Sequence, residues 1–412
     1  MDRLPVRFLV PLIISPRMLD SCRSASVYFP RGTTTATLEA GLDAMRGQLG
    51  GPADLAIVFV TPDQLDHLAE FLEVCQICLR CPKIIGATTG VLVSDGSEME
   101  ESSGYSLLAL RLPGTTVTVE CWPAPPHAVP STPVAAGGAG AVLLANPSYL
   151  NLDAFTAAWT ARHPGLPSFG GLASGGIDRD SLIVFTESGR SDAACIAAHF
   201  HGGIRLDAAL GQSCRPIGSA MIVTGAERNR ITSINGLSPV DAMQHALGEE
   251  SEVLGHELPP VQGMVHIGIM TDPTPGLPDA GNDHGCVRAI LSVDPQDEAL
   301  VIAGNPEIGQ TIRFHWRDDT DASTAWHVAL DATKSRQPDL PFAGLLFTCS
   351  SRGYGFFEFP DHDAGMMSDI LGNFPMAGMF ANGELASPHS GLEAHTFCSV
   401  GVCFYPASTQ LG

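Results

Sequence analysis

Cys75, Cys78 and Cys81 recur every third residue in "EVCQICLRCPKIIGATTG" (73–90), an interval common among zinc and iron–sulfur ligands, and the run Gly86-Ala87-Thr88-Thr89-Gly90 closes the same stretch. Ligands at i, i+3 and i+6 of a regular helix fan through about 600° and do not converge on one ion. Leu68, Phe71, Leu72, Cys75 and Cys78 share one apolar face, and no fourth cysteine lies near to complete a tetrahedral set. The triplet therefore reads as small core residues. The glycine–threonine run ends an apolar segment, where backbone N–H groups and the Thr88 and Thr89 hydroxyls can meet a ligand. It lacks the Lys-Ser/Thr of a P-loop.

Two further motifs pair a thiol with a guanidinium where a strand gives way to a loop: Cys214 and Arg215 in "GQSCRPIG" (211–218), and Cys349, Arg352 and Gly353 in "CSSRGYG" (349–355). An arginine there offers a planar fork to a carboxylate or phosphate and favours the thiolate of a nearby cysteine. The competing reading has both arginines bracing loops through carbonyls or Glu384. In "NGELA" (382–386) Gly383 makes a turn and Glu384 follows, placed to pair with Arg352 or to meet a ligand amine. Ser174 in "GGLASGG" (170–176) lacks the spacing of a nucleophile elbow. His266 and His315 fall in strand-like segments and His362 between Asp361 and Asp363. No His-x-x-x-His or His-Glu-x-x-His spacing points to a zinc hydrolase.

The elements that must position these residues alternate. Between Ala25 and Thr89, short apolar runs separated by amphipathic helices predict βαβαβ. "GYSLLALRL" and "TTVTVECW" follow as a predicted hairpin turning at Pro113-Gly114, then a Pro/Ala/Gly-rich loop at 123–139. "AACIAAHF" reads as a short helix, and 249–260 as an inter-domain stretch. The second half repeats the style, with helices at "DASTAWHVALDAT" and "DHDAGMMSDILG". The expected class is α/β: two halves, 24–235 and 236–405, with mixed β-sheets covered by helices and a ligand cleft between them.

Composition narrows the function. A net charge of −22, with only two lysines among 22 basic residues, leaves no basic stripe for nucleic acid or an anionic membrane. Eleven cysteines without regular spacing argue for reduced thiols rather than a secreted disulfide framework. "FLVPLII" (8–14) is too short to span a bilayer and is followed by Pro16 and Arg17. A cytoplasmic location is expected.

In their order, "KIIGATTGV" (83–91), "GYSLLALRLPG" (104–114), "LPSFGGLASGG" (166–176), "GQSCRPIG", "VRAILSVDPQDEALVIAGNPEIGQTIRFHWRD" (287–318), "AGLLFTCSSRGYGFF" (343–357), "PDHDA" (360–364) and "PMAGMFANGELA" (375–386) resemble the FIST family, whose name refers to F-box and intracellular signal transduction proteins. The resemblance spans roughly 24–405. It implies a sensory, ligand-binding module of an N-type and a C-type domain, with amino acids among its proposed ligands. It also implies a stand-alone sensor without a kinase, methyl-acceptor or F-box segment, acting through a separate signalling protein or a homodimer. Some members look like haem proteins that sense nitric oxide, which makes His315 and His266 candidate axial ligands. The cysteine triplet, "NDHGCVRAI" (282–290) and "ASPHSGLEAHTF" (386–397, with His389 and His395) depart from the family pattern.

Three functions follow. The first is a non-catalytic sensor in which Gly86, Thr88, Thr89 and Gly90 supply donors, Arg215 and Arg352 hold an anionic group and Glu384 orients Arg352 or meets a cation. The second is a haem-based gas sensor. The third is an enzyme with Cys349 or Cys214 as nucleophile.

Overall fold

The computed structural model describes residues 21–124, 137–256, 258, 263–270, 285–337, 339–387 and 391–407. The apolar run at 8–14, most of the loop at 123–139, the stretch 271–284 and His389 lie outside them.

One pattern is used three times. A first strand is followed by a second strand, a crossover helix, a third strand parallel to the second, a short hairpin, and a closing strand that inserts antiparallel between the first and second. The first round uses Arg23–Pro30, Leu55–Val60, helix Leu68–Leu79, Ile84–Thr88 and Gly104–Arg111. The second uses Thr115–Pro123, Gly140–Ala145, helix Leu152–Arg162, Ser168–Leu172 and Ala193–Gly202. The third uses Ile204–Gln212, Ala343–Cys349, helix His362–Leu371, Met376–Ala381 and Cys398–Pro406. Parallel neighbours need a crossover, and each helix covers the outer face of its own sheet.

The hairpins do not stay at home. Leu92–Ser94 with Ser97–Met99 completes the third sheet, Val184–Thr186 with Gly189–Ser191 the first, and Glu384–Ala386 with Glu393–His395 the second. The result is three six-stranded mixed sheets linked in a ring. Their inner faces share one core that includes Ile57, Phe59, Val142, Leu144, Leu345 and Phe347. Each outer face has its own cluster under helices, anchored by residues such as Leu42 and Phe71, Trp159, and Trp326.

Between Gln212 and helix Asp319–Arg336 the third round carries an insertion, a closed six-stranded barrel with helix Pro239–Leu254 against it. Asn235 and Gly236, both at positive φ, make the turn leading to that helix, as the Asn-Gly pair predicts. The division expected at 235/236 falls inside this insertion.

The α/β class with mixed, helix-covered sheets is as expected; several local expectations are corrected. The predicted hairpin 104–122 is no hairpin: its two strands belong to different sheets. "AACIAAHF" lies in the interior strand Ala193–Gly202, buried on both faces, where small side chains let core and helix layers approach. The inter-domain stretch is helical through Leu254. Cys75 and Cys78 pack on the first sheet, and the Cys81 thiol donates to the Lys83 carbonyl at 3.1 Å, its pKa pushed up to about 12 by burial.

Gly86 has a packing role. A Cβ there would lie 2.1 Å from the Phe185 ring and 2.4 Å from the Val58 carbonyl oxygen. Gly86→Ala is expected to cost about 1–3 kcal/mol of stability, read as a lowered urea midpoint at unchanged slope.

Candidate functional site

Arg352 leaves the end of strand Ala343–Cys349 and turns inward, its side chain fully buried. Asp363, in the first turn of helix His362–Leu371, meets it with both oxygens: Nε to Oδ2 and Nη2 to Oδ1, each 2.7 Å. Such a fork-to-fork pair is what makes a buried charge tolerable. The remaining capacity of Asp363 is filled by the hydroxyls of Ser399 (2.6 Å) and Thr348 and by His362 Nδ1 (2.7 Å), while Arg352 also donates to Ser213. Burial works to raise the Asp363 pKa, but Arg352 and these hydrogen bonds outweigh it and hold the carboxyl well below its usual range.

Two more carboxyls close the network. Glu98, on the hairpin donated by the first round, accepts at Oε1 from the N–H groups of Asp363 (2.9 Å) and Ala364 (3.0 Å), capping the helix. Burial and the neighbouring Asp363 charge push its pKa up to about 8. Glu384 has no exposed surface. Its Oε2 accepts from the Cys398 N–H (3.4 Å) and thiol (3.2 Å), and its Oε1 has no hydrogen-bond partner among the described residues. Burial pushes it up to about 8 against the hydrogen bonds from Cys398, which favours the neutral acid.

The thiols are not activated. Burial pushes Cys349 up to about 11, with Glu384 adding to the effect, and its Sγ lies 3.1 Å from Ser351 Oγ. Cys214 is also pushed up by burial despite Arg317 and Arg352. At Cys214 the neighbouring arginines do favour the thiolate, but desolvation outweighs them.

Arg317, unremarked in the sequence, donates from Nη2 to the Ser351 carbonyl at 2.8 Å and lies 3.8 Å over the Phe356 ring. Next to it His266 stacks on Phe397 at 4.1 Å and is pushed down to about 4 by burial and Arg317. His315 sits directly across the strand pair from His266.

In front of this network lies a cleft of about 930 Å³, as bounded by the described residues. One wall is Ala208, Leu210, Gln212, Cys214 and Arg215; the other includes Ala325, Val328 and Ala329 of helix Asp319–Arg336, with His315, Glu393 and His395 around it. Its walls come from both sides of the inserted barrel, and Cys214 is common to cleft and buried network. Arg215 at its edge is held at 2.5 Å by both Glu250 and Asp321, so it ties barrel strand, barrel helix and cleft helix together.

The sequence candidates thus divide. Cys214, Cys349, Arg352 and Glu384 come together; Arg215 and His315 line the cleft. Glu384 does not hold Arg352, whose partner is Asp363. The Cβ positions of Gly353 and Gly383 face Phe380 and Leu172. Thr88 bonds the main chain of Ile183 and Thr89 that of Val91 and Phe380, both hydroxyls fully buried. The Gly90 N–H donates to Ser174 Oγ at 3.3 Å. Asp363, Glu98, Ser399 and Ser213 were missed, although "PDHDA" contained Asp363.

Fold and cleft define a two-part α/β protein with a ligand-sized cavity between segments from both parts. The FIST N domain model matches residues 54–237 and the FIST C domain model residues 239–387, and the chain belongs to the FIST family. FIST domains are generally taken as small-ligand sensory domains of signal transduction. Similar proteins include an uncharacterized protein of Mycobacterium tuberculosis, 28% identical over 383 residues, and one of Mycobacterium bovis, 26% identical over 394 residues. Each comparison covers 88% of this chain and 94% of the relative. Among the described residues no helix is long and apolar enough to cross a membrane.

Proposed function

We propose that this protein is a non-catalytic sensor of a small amphipathic metabolite bound in the cleft between its N-type and C-type segments. The observation that carries this is the cleft itself: an alanine-rich floor for an apolar body, flanked by the Arg215–Asp321 pair and by Glu393 and His395, suits a zwitterion of amino-acid type. A ligand carboxylate that takes Arg215 from Asp321 and Glu250 loosens the tie between barrel and helix, which converts occupancy into relative movement. Output then passes to a separate signalling protein or a second copy.

Calorimetry with an amino-acid and metabolite panel tests this. Ala329→Trp, which fills the cleft, is expected to weaken the best ligand at least about tenfold while leaving the thermal midpoint near that of the wild type. Undiminished affinity in that variant would reject the cleft.

For the haem reading the two histidines differ. His266 does not fit, because both ring nitrogens are sealed within the protein packing. His315 lies on the cleft wall, its Nδ1 donating to the Arg313 carbonyl at 3.1 Å, and on this reading would be the imidazole that meets the haem. Haem retained by the protein and lost in His315→Ala would put this reading ahead of the first.

A further inference from the structure

Away from the cleft, on the outer face of the second sheet, Glu120, His163 and His199 turn their polar atoms toward one point. Glu120 lies on strand Thr115–Pro123 and His199 on the neighbouring Ala193–Gly202, where His199 faces Thr118 and Ala197 faces Glu120. The two are diagonal neighbours on one face. His163 caps the C-terminus of helix Leu152–Arg162, which lies across that face. Phe169, which lines the cleft, belongs to the inner core on the other side of the sheet.

We propose that Glu120 Oε2, His163 Nε2 and His199 Nε2 form a binding site for a divalent transition-metal ion of the zinc class. The three atoms lie within 4.8 Å of one another. Oε2 is 3.0 Å from His199 Nε2 and 3.4 Å from His163 Nε2. Tetrahedral zinc with bonds of about 2.0–2.1 Å places adjacent donors about 3.3 Å apart, so these separations already match two edges of the coordination shell. The other carboxylate oxygen is occupied: Arg162 donates to Oε1 from Nε (3.0 Å) and Nη2 (2.8 Å), which fixes the carboxylate with Oε2 facing the imidazoles. His163 is buried, and its Nε2 makes no hydrogen bond among the described residues, a deficit that a metal would remove. The Trp159 ring packs against both imidazoles, at 4.3 Å from His163 and 5.5 Å from His199, and limits their rotation. Two imidazoles and one carboxylate suit zinc, cobalt or nickel better than calcium or magnesium, and water completes the fourth position. Bound there, the ion pins the helix end to the sheet.

Equilibrium dialysis of the full chain, freed of metal by chelator, tests the site with zinc and with cobalt as an optical probe. One zinc per chain is expected at pH 7.5, with visible cobalt bands of tetrahedral intensity and a raised thermal midpoint. Affinity should fall as the solution is made acidic, because protons compete with the ion for the ligand atoms. His199→Gln and His163→Gln should each weaken zinc about 100-fold or more, and His266→Gln should leave it unchanged. Absence of stoichiometric metal in the wild type overturns the proposal whether or not the variants fold. Binding that survives both substitutions overturns it too, by placing the ion elsewhere.

Discussion

Asp363→Ala is expected to destabilise the protein by about 3–5 kcal/mol, because it leaves the fully buried Arg352 guanidinium without its counter-charge. That is a large fraction of the total for a marginally stable domain, so urea unfolding at pH 7 should show a much lower midpoint or an already unfolded chain. Arg352→Met combined with Asp363→Leu, which removes both charges, should recover a substantial part of the loss. A single-variant cost below about 1 kcal/mol would mean that water reaches the pair, contrary to its burial. The pair is insensitive to mild acid. Asp363 is held below its ordinary range, so its contribution is present above the unfolded-state pKa near 3.9 and is lost only as pH falls below it.

Glu384 and Glu98 give the opposite pH dependence. Both are raised to about 8 in the folded protein, against about 4.3 in the unfolded chain. Their contribution is complete below the unfolded pKa and declines through the folded one, because between the two the unfolded chain is ionised and the folded protein is not. Each group should therefore remove about 1.4 kcal/mol of stability per pH unit between about pH 5 and 8. Glu384→Gln keeps the shape and deletes the titration. Relative to the wild type it should gain about 1.4 kcal/mol per unit over that window, and adding Glu98→Gln should increase the gain further. Urea unfolding at several pH values reads this directly, and curves that run parallel for wild type and Glu384→Gln would rule out a neutral Glu384.

Much of the fold was legible, and what was missed shares a cause. Helices with a clear apolar face and a local cap, such as Asp319–Arg336 behind Asp318, are written in neighbouring residues. Ala193–Gly202 was not, because its alanines suit a helix and only burial on both faces makes it a strand. Pro113-Gly114 signals a turn, but nothing local says that the next strand joins another sheet. The threefold pattern was hidden for the same reason: it lies in the strand pairing, and its third round is split by the barrel. At the site, local motifs pointed to Arg352, Cys349, Cys214 and Glu384. Which carboxylate pairs with Arg352, and that Glu98 reaches a helix 265 residues away, depend on contacts that no spacing rule encodes.

The ring of exchanged hairpins bears on how this protein is made and cut. A fragment ending at 235 would carry two of the three sheet frames but not Glu384–Ala386 and Glu393–His395, leaving Ser168–Leu172 as a bare edge, and its own hairpin Leu92–Ser94 with Ser97–Met99 would have no sheet to join. Such an edge invites pairing between chains. During synthesis the first hairpin must wait for Met376–Ala381 before it can dock, so closure of the ring comes last and ribosome-bound intermediates carry unsatisfied edges. The N part and the C part matched by the family models are interleaved in this chain, because each supplies strands that complete a sheet of the other.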